Sequence, residues 1–496
     1  MNSSLRFSLL PLLCLSVFPG FLASAFAQSW RYQLIEGSQL LDECPPCARP
    51  SLALPMRGGF SITPETTPAP LERFRIHDLS FTAGSHFGRF YQVTGQGTYE
   101  IFSEFAIIER LYLELTIDDG NGPRLCLLTN APAKRERRWP MLKLSAIQTN
   151  GTFTQVYHLD LAAAPFQELW YSLKHGLHNG NWSFPTNGVS GGDLLALDGH
   201  IVHRSRDLLA KFQLTPEATQ LDPDPGLDAI DIWPGGEIAF SIYQPVVSGA
   251  LGKTLQPGSL LSDGGSIIAL NPSLTRAFGF MPPVPDLGLD AVHRLENGEL
   301  YFSIETEQFS EQLGVQIGRG DVLSDSGRLI RRSKELLEHF HPIGPGKDYG
   351  LDALYIWPSG EIWFSTEISF QDEQLSHVGE GDLLSDQGYV VLRHQELVGP
   401  FAPLEDLADF GLDGLFVLTD VGARDTKPQI TKIQKDPATN ELRLDWEGKG
   451  RVFQVERSIQ VAGPYQAAAP PSTKRFFLES GPSLNAPSAY YRVRQW

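Results

Sequence analysis

Positive charge is scarce in this chain. Lysine and arginine total 40 against 58 acidic residues, giving a formal charge of −18 over 496 residues. A field of that sign repels phosphate backbones, so nucleic acid is not an expected partner. It favours cations and solubility. Long apolar runs are also missing. After the first 27 residues nothing approaches the ~18 uninterrupted apolar residues of a membrane-spanning helix. No Gly-x-Ser-x-Gly, His-Glu-x-x-His or phosphate-binding glycine loop occurs. Their absence removes the common hydrolase signatures, but it leaves open a site assembled from scattered loops. Glycine (47) and proline (36) are frequent enough to imply many turns and too few to signal disorder.

Cysteine is used four times, and Cys14 falls in a segment that reads as a secretory leader. Arg6 charges its start, "LLPLLCLSVFPGFL" is a short apolar core, and Ala25 and Ala27 offer small residues for cleavage. The expected mature chain starts at Gln28. Leu13 before Cys14 argues against lipidation. Cys44, Cys47 and Cys126 remain. Export makes a disulfide the default, either within "ECPPC" or from that motif to Cys126, and one thiol is left over. Zinc held by the three cysteines and a further ligand, or a redox pair, are the alternatives. The segment after the motif, "ARPSLALPMRG", is not helical, which disfavours a thioredoxin-type site.

The informative feature is a repeat. "GLDA", or "GLDG" in the last copy, begins at Gly226, Gly288, Gly350 and Gly411, a period of 62, 62 and 61 residues. A second mark is a glutamate opening an apolar run: "GEIAFS" at Glu237, "GELYFS" at Glu299 and "GEIWFS" at Glu361. A third is a glycine-led turn: "GSLLSDGGSII", "GDVLSDSGRLI" and "GDLLSDQGYVV". The copy at Gly411 stops after its first mark. Upstream, "QELWYS" with Glu168 and "GGDLLALDGHIV" carry the other two marks and lack the first. The two fragments complement each other. A β-propeller closes its ring by sharing a blade between the chain ends, and closure removes exposed strand edges. The expectation is a ring of four units over 161–420, each of about four strands, because "DALYIW", "EIWFST" and "LLSDQGYVVL" read as strands joined by tight turns.

Residues 28–160 are rich in β-branched and aromatic residues without lasting helical periodicity and are expected to form a β-sandwich or small barrel. Residues 421–428 read as a linker. Residues 429–496 alternate, with Leu442, Leu444 and Trp446 on one face, as in a small immunoglobulin- or fibronectin-III-like sandwich. "YYRVRQW" places Arg492 and Arg494 where a lipid-facing strand needs apolar residues, so it reads as a soluble strand.

"EGSQLLDECPPCARP", "MRGGF", "LSFTAGS", "IWFST" and "GLDGLFVL", with the final "LDWEGKGRVFQVERS", together resemble a group of secreted bacterial β-repeat proteins with a C-terminal fibronectin-III-like module. The resemblance spans nearly all of the mature chain. It implies export and modularity, and no particular activity.

Several constellations are candidates for function. Asp228, Asp290, Asp352 and Asp413 are equivalent around the ring, as are Glu168, Glu237, Glu299 and Glu361. A general acid and base must differ in environment, so repeated carboxylates point to turn and strand-end hydrogen bonding, with calcium as the functional alternative. "DDGNG", with Asp118 and Asp119, reads as a β-turn and is a second calcium candidate. "LSDxG" resembles the Asp-box hairpin of sialidase-type propellers, but the arginine cluster and tyrosine nucleophile of such an enzyme cannot be assigned. His175, His178, His200 and His203 form two His-x-x-His pairs, in segments where that spacing does not place both rings on one face. Trp170, Trp182, Trp233 and Trp357 are candidates for stacking on sugar rings, with Trp363 nearby; their alternating positions equally suit a core. The resulting expectation is an exported, non-catalytic, all-β protein of the periplasm, cell surface or extracellular space. Its role would be binding or scaffolding, with a glycan or a protein as partner. A secreted polysaccharide hydrolase or lyase acting on the ring face is the alternative, and a structural matrix component the third reading. No cofactor other than calcium is implied.

Overall fold

The computed structural model of the chain describes residues 29–496 apart from 48–49, 85–87, 105, 153, 178–187, 216–223, 282–285, 345, 406–409, 423–426, 437 and 481–488. The expected leader, His178 and Trp182 lie outside the described residues. The rest is almost entirely antiparallel sheet.

The N-terminal part is one large sheet that closes on itself. Its long strands Leu52–Glu65, Leu71–Gly84, Phe90–Phe102 and Ile108–Asp118 are successive hairpins. Closure comes at Leu142–Gln148, which pairs with Pro123–Thr129 on one side and Val156–Ala164 on the other. Alternate residues point inward, so Phe81, Tyr91, Val93, Leu113, Leu115 and their neighbours fill one core. Cys126 sits in that core as a free thiol, and Cys44 is bonded to Cys47. The disulfide therefore lies within the short motif, and the leftover thiol is the buried one.

The repeats form four sheets of four strands. Three are continuous in the chain, with inner strands Ile230–Trp233, Val292–Arg294 and Leu354–Ile356. In the fourth, Glu168–Tyr171, Leu194–Ala196 and Ile201–His203 receive their inner strand from the far end of the repeats, Leu415–Leu418. The register runs from Glu168 opposite Leu418 to Tyr171 opposite Leu415. Each inner strand touches the next, and the last touches the first, so four blades surround one axis. Each continuous blade also carries a two-stranded ribbon, such as Val246–Ser248 with Lys253–Leu255, and a single turn of helix, such as Ser333–Leu336, neither of which periodicity marks out.

The repeated letters have local causes. Gly226, Gly288, Gly350 and Gly411 take φ of 76°, 75°, 71° and 69°, the left-handed region where a side chain is strained. Leu227, Leu289, Leu351 and Leu412 are buried between blades. The alanine that follows the aspartate becomes Gly414 in the last copy because a Cβ there would meet Ile230 Cγ2 at 2.7 Å and Ser172 Oγ at 2.8 Å. The serine ending each "FS" run joins blade to blade. Ser241 Oγ donates to Leu289 O at 2.8 Å, Ser303 to Leu351 O at 3.1 Å, Ser365 to Leu412 O at 2.6 Å, and Ser172 to Leu227 O at 3.0 Å. These four bonds make a complete circle. Apolar cores fill each inter-blade wedge, so both faces of a blade are buried, unlike a sheet with one wet face.

At the C-terminus, Gln429–Asp436, Glu441–Glu447 and Phe476–Glu479 form one sheet, and Gln466–Ala467, Phe453–Ser458 and Tyr490–Gln495 another. Leu444, Trp446, Phe453 and Val455 lie between them.

The circle of serine bonds generates the first prediction. Ser241 Oγ also accepts the Ala229 N–H at 2.8 Å. Ser241→Ala leaves a buried donor and a buried acceptor without partners, so unfolding free energy should fall by about 2 kcal/mol, read as a lower urea midpoint at unchanged slope.

Candidate functional site

The two ends of the ring differ. At the end where the inner strands begin, the four "GLD" aspartates converge on the axis. Asp228, Asp290, Asp352 and Asp413 are 6%, 4%, 5% and 6% exposed. The sequence placed these residues in equivalent positions; the fold brings them together. Their surroundings are not equivalent. The residue packed against each repeated glycine is Tyr243, Glu305, Glu367 or Lys174 in turn. Carboxylate oxygens of Asp228, Asp290 and Glu305 lie within 4.8 Å of one another, as do those of Asp290, Asp352 and Glu367. Lys174 Nζ is 3.9 Å from Asp352 Oδ2, and Arg319 Nη1 is 2.8 Å from Glu367 Oε2.

Burial dominates the electrostatics here. It pushes the Asp228 and Asp290 carboxyls well above the usual range, and neighbouring carboxylates add to the effect. Asp413 is likewise raised by burial and by Asp352, with Lys174 opposing. Asp352 is pushed up to about 7 by burial, again against Lys174. Burial works against the Lys174 charge too, but Asp352 and Asp413 hold its pKa above the ordinary value.

The repeated glutamates are structural. Glu237 accepts from Ser262 Oγ at 2.6 Å, and Glu361 from Ser385 Oγ at 2.7 Å and Trp363 Nε1 at 3.0 Å. Glu299 takes Ser326 Oγ and Arg328. Asp263, Asp325 and Asp386 of the "LSD" turns accept the backbone N–H of Ile238, Leu300 and Ile362. These are hairpin-stabilising bonds remote from the axis. Glu168 differs in having no serine or arginine partner among the described residues. It accepts the N–H of Leu169 and Leu197, both at 3.0 Å, and burial followed by the Asp198 charge raises it to about 7.

Asp118 and Asp119 do not join the axial cluster. Asp118 Oδ1 accepts from Gly120 N and Asp119 Oδ1 from Asn121 N, and Arg124 pairs with Asp119 at 3.3 Å. One carboxylate oxygen of Asp118 and both of Asp119 are thus used by the turn and by the arginine. Among the described residues no cluster of metal-ligand side chains includes a histidine. His203 meets Thr473 Oγ1 at 3.1 Å and is pushed down to about 4 by burial.

The tryptophans correct an expectation. Trp170 and Trp363 are 0% exposed and Trp357 1%, because both blade faces are covered, so none has a free ring face for a sugar. Trp233 is half-buried beneath the Arg294 guanidinium, 4.5 Å from its ring centre.

The opposite end of the ring meets the C-terminal sheets. Arg451 reaches in to Asp231 at 3.4 Å, Arg475 donates to Gly235 O at 2.7 Å, and Trp496 Nε1 donates to Asp420 at 3.0 Å. A cavity of about 760 Å³ remains between ring and module. Arg294, Glu296, Lys449 and Arg475 line it together with Tyr355 and Trp496. The repeat marks did not point to this place, because seven of its 23 lining residues belong to the final 50 residues, outside the repeats, and the copies differ in identity at the inner-strand positions that line the rest.

No family model matches the chain, and no curated protein does. Among solved structures, PorZ, a surface component of the type-IX secretion system of Porphyromonas gingivalis, is 8% identical with a TM-score of 0.18, over 94% of this chain and 98% of that one. An extracellular domain from B. thetaiotaomicron is 8% identical with a TM-score of 0.17, over 90% of this chain and 86% of that one. At such scores neither likeness supports an inference.

Glu168 yields a prediction with a definite sign. A carboxyl whose pKa rises from 4.5 to about 7 on folding stabilises the fold below pH 4.5, and that contribution is lost as pH rises through 7. Glu168→Gln keeps the acceptor oxygen and removes the charge. At pH 8 the variant should exceed the parent in stability by on the order of 1 kcal/mol, and at pH 4.5 the two should coincide in chemical denaturation.

Proposed function

We propose that the chain is an exported, non-catalytic binding protein whose ligand enters the cavity between the ring and the C-terminal module, and that this ligand is a glycan bearing carboxylates. The observation that carries the proposal is the composition of that cavity. In a chain with a net charge of −18, its lining gathers Arg294, Lys449, Arg451 and Arg475 around the side-chain carboxylate of Glu296. Arg451 is already paired with Asp231, and Arg475 is tied to Gly235. Arg294 and the exposed Lys449 leave charge for a ligand, and Tyr355 and Trp496 supply apolar and aromatic surface. Glycoside hydrolysis takes a pair of carboxyl groups, and Glu296 is a single acidic side chain in this lining, which supports binding without cleavage. The Cys44–Cys47 disulfide is compatible with an oxidising compartment.

A secreted polysaccharide hydrolase is the second reading, favoured by one observation. Glu305 and Glu367 form an unrepeated acidic pair at the other end of the axis, where the remaining blades carry Tyr243 and Lys174.

The test is calorimetry of residues 28–496 with oligouronates and with neutral oligosaccharides of equal length. Binding to oligouronates alone is expected, weakened about tenfold by Lys449→Glu, since each 1.4 kcal/mol is a factor of ten. Failure to bind, or equal binding of neutral sugars, overturns the reading. Release of reducing ends that disappears in the Glu305→Gln, Glu367→Gln double variant would establish the second.

A further inference from the structure

The axial carboxylate cluster is too crowded with acid to be balanced by the side chains around it. Four aspartates, Glu305 and Glu367 meet there, and among the described residues the cations set against them are Lys174 and Arg319. Those cations are placed on one side. Lys174 faces Asp352 and Asp413, and Arg319 is engaged with Glu367. Among the described residues Asp228 and Asp290 have no such partner. Asp228 Oδ2 and Asp290 Oδ2 are buried and accept no hydrogen bond from the described residues, and Glu305 Oε1 is buried in the same condition. Buried carboxylate oxygens without partners are costly, because each loses its water and gains nothing in return.

The geometry points to a hard divalent cation, of the calcium class, bound at the ring axis by Asp228, Asp290 and Glu305, with Asp352 and Glu367 as adjoining carboxylates that also reach Asp290. Two oxygens that ligate one calcium ion at about 2.4 Å lie at most about 4.8 Å apart, and both overlapping triads satisfy that limit. The triads share Asp290, so an ion held by the first takes the ligand that the second would need. The ligands are all oxygen and all acidic, which suits calcium and offers nothing to a thiophilic metal. The three ligands come from two neighbouring blades: Asp228 precedes one inner strand, and Asp290 and Glu305 belong to the next blade. Bound there, the ion would tie these two blades together. In the fourth copy Lys174 supplies a side-chain cation, facing Asp352 and Asp413, where two other copies have glutamate.

The competing account is that protons shared among the carboxyls, for example between Asp228 and Glu305, neutralise the cluster without an ion. The experiment separates the two. Residues 28–496, stripped with chelator, are titrated with calcium by calorimetry at pH 7, and thermal unfolding is followed with and without the metal. The expected result is one bound ion per chain and a melting temperature raised by about 5 °C at saturating calcium. Asp290→Asn should abolish the heat and the calcium-dependent shift. It should also raise the melting temperature of the chelated protein, because it replaces a buried carboxyl crowded by other carboxyls with a neutral amide. Glu305→Gln, at a less buried position, gives the same readout if Asp290→Asn does not fold. Absence of heat and of any shift in the parent protein, with calcium and with magnesium, overturns the proposal in favour of shared protons. So does calcium binding that survives both substitutions. Oligouronate binding in the distant cavity is a separate measurement, so either proposal can fail alone.

Discussion

The structure depends on one pairing between residues about 250 positions apart. Glu168–Tyr171 and Leu415–Leu418 form an antiparallel ladder that turns an open row of sheets into a ring. Each inter-blade wedge is an apolar core that needs both its walls, so an open row would leave two half-cores wet. Closure also places the four "GLD" segments around a common centre. Without it, burial of the aspartates and the circle of serine-to-carbonyl bonds would both be broken at one point.

Repetition and its violation divide the labour within the ring. Where the copies agree, the residues hold the blades: glycine at positive φ, leucine in the wedge, serine across to the next blade, glutamate on its hairpin. Where they disagree, the ring acquires direction. Tyr243, Glu305, Glu367 and Lys174 make one end of the axis acidic on one side and basic on the other. Asp231, His293, Tyr355 and Phe416 differ likewise at equivalent places on the inner strands facing the C-terminal module, where one blade is acidic and the others are not. Asp231 draws in Arg451, and His293, buried and beside that arginine, is pushed down to about 3 and stays neutral.

Much of the architecture was legible because the repeat marks are local and in register. Complementary fragments at Glu168 and Gly411 imply closure from the sequence alone. The cysteine ring was among the expected pairings. What escaped the sequence was set by long-range packing. Alternation in "DALYIW" suggests one buried face, yet blades stacked around an axis bury both, which is why Trp170 and Trp357 are sealed. The departures that matter, Lys174 and Glu305, lie just past the "FS" mark, where a difference between copies looks like noise until the axis is seen. The cavity residues were invisible for the same reason: Arg451, Arg475 and Trp496 lie in a different sheet system, and only the docked structure sets them against Asp231, Gly235 and Asp420.

The shared blade has a mechanical consequence. The chain comes into the ring at Glu168 from the N-terminal sheet and leaves it after Leu418 toward the C-terminal one, and these two residues face each other at one end of the same ladder. Tension between the flanking parts would therefore peel the ladder open one residue pair at a time rather than shear all its bonds together. The first load falls on a clasp just outside it, where Gln167 Nε2 donates to Asp420 at 2.7 Å, Gln167 N to Leu418 O at 2.7 Å, and Thr419 Oγ1 to Pro165 O. Asp420 also anchors Arg494 and Trp496, so the seating of the final residues backs up the clasp that keeps the ring shut under pull.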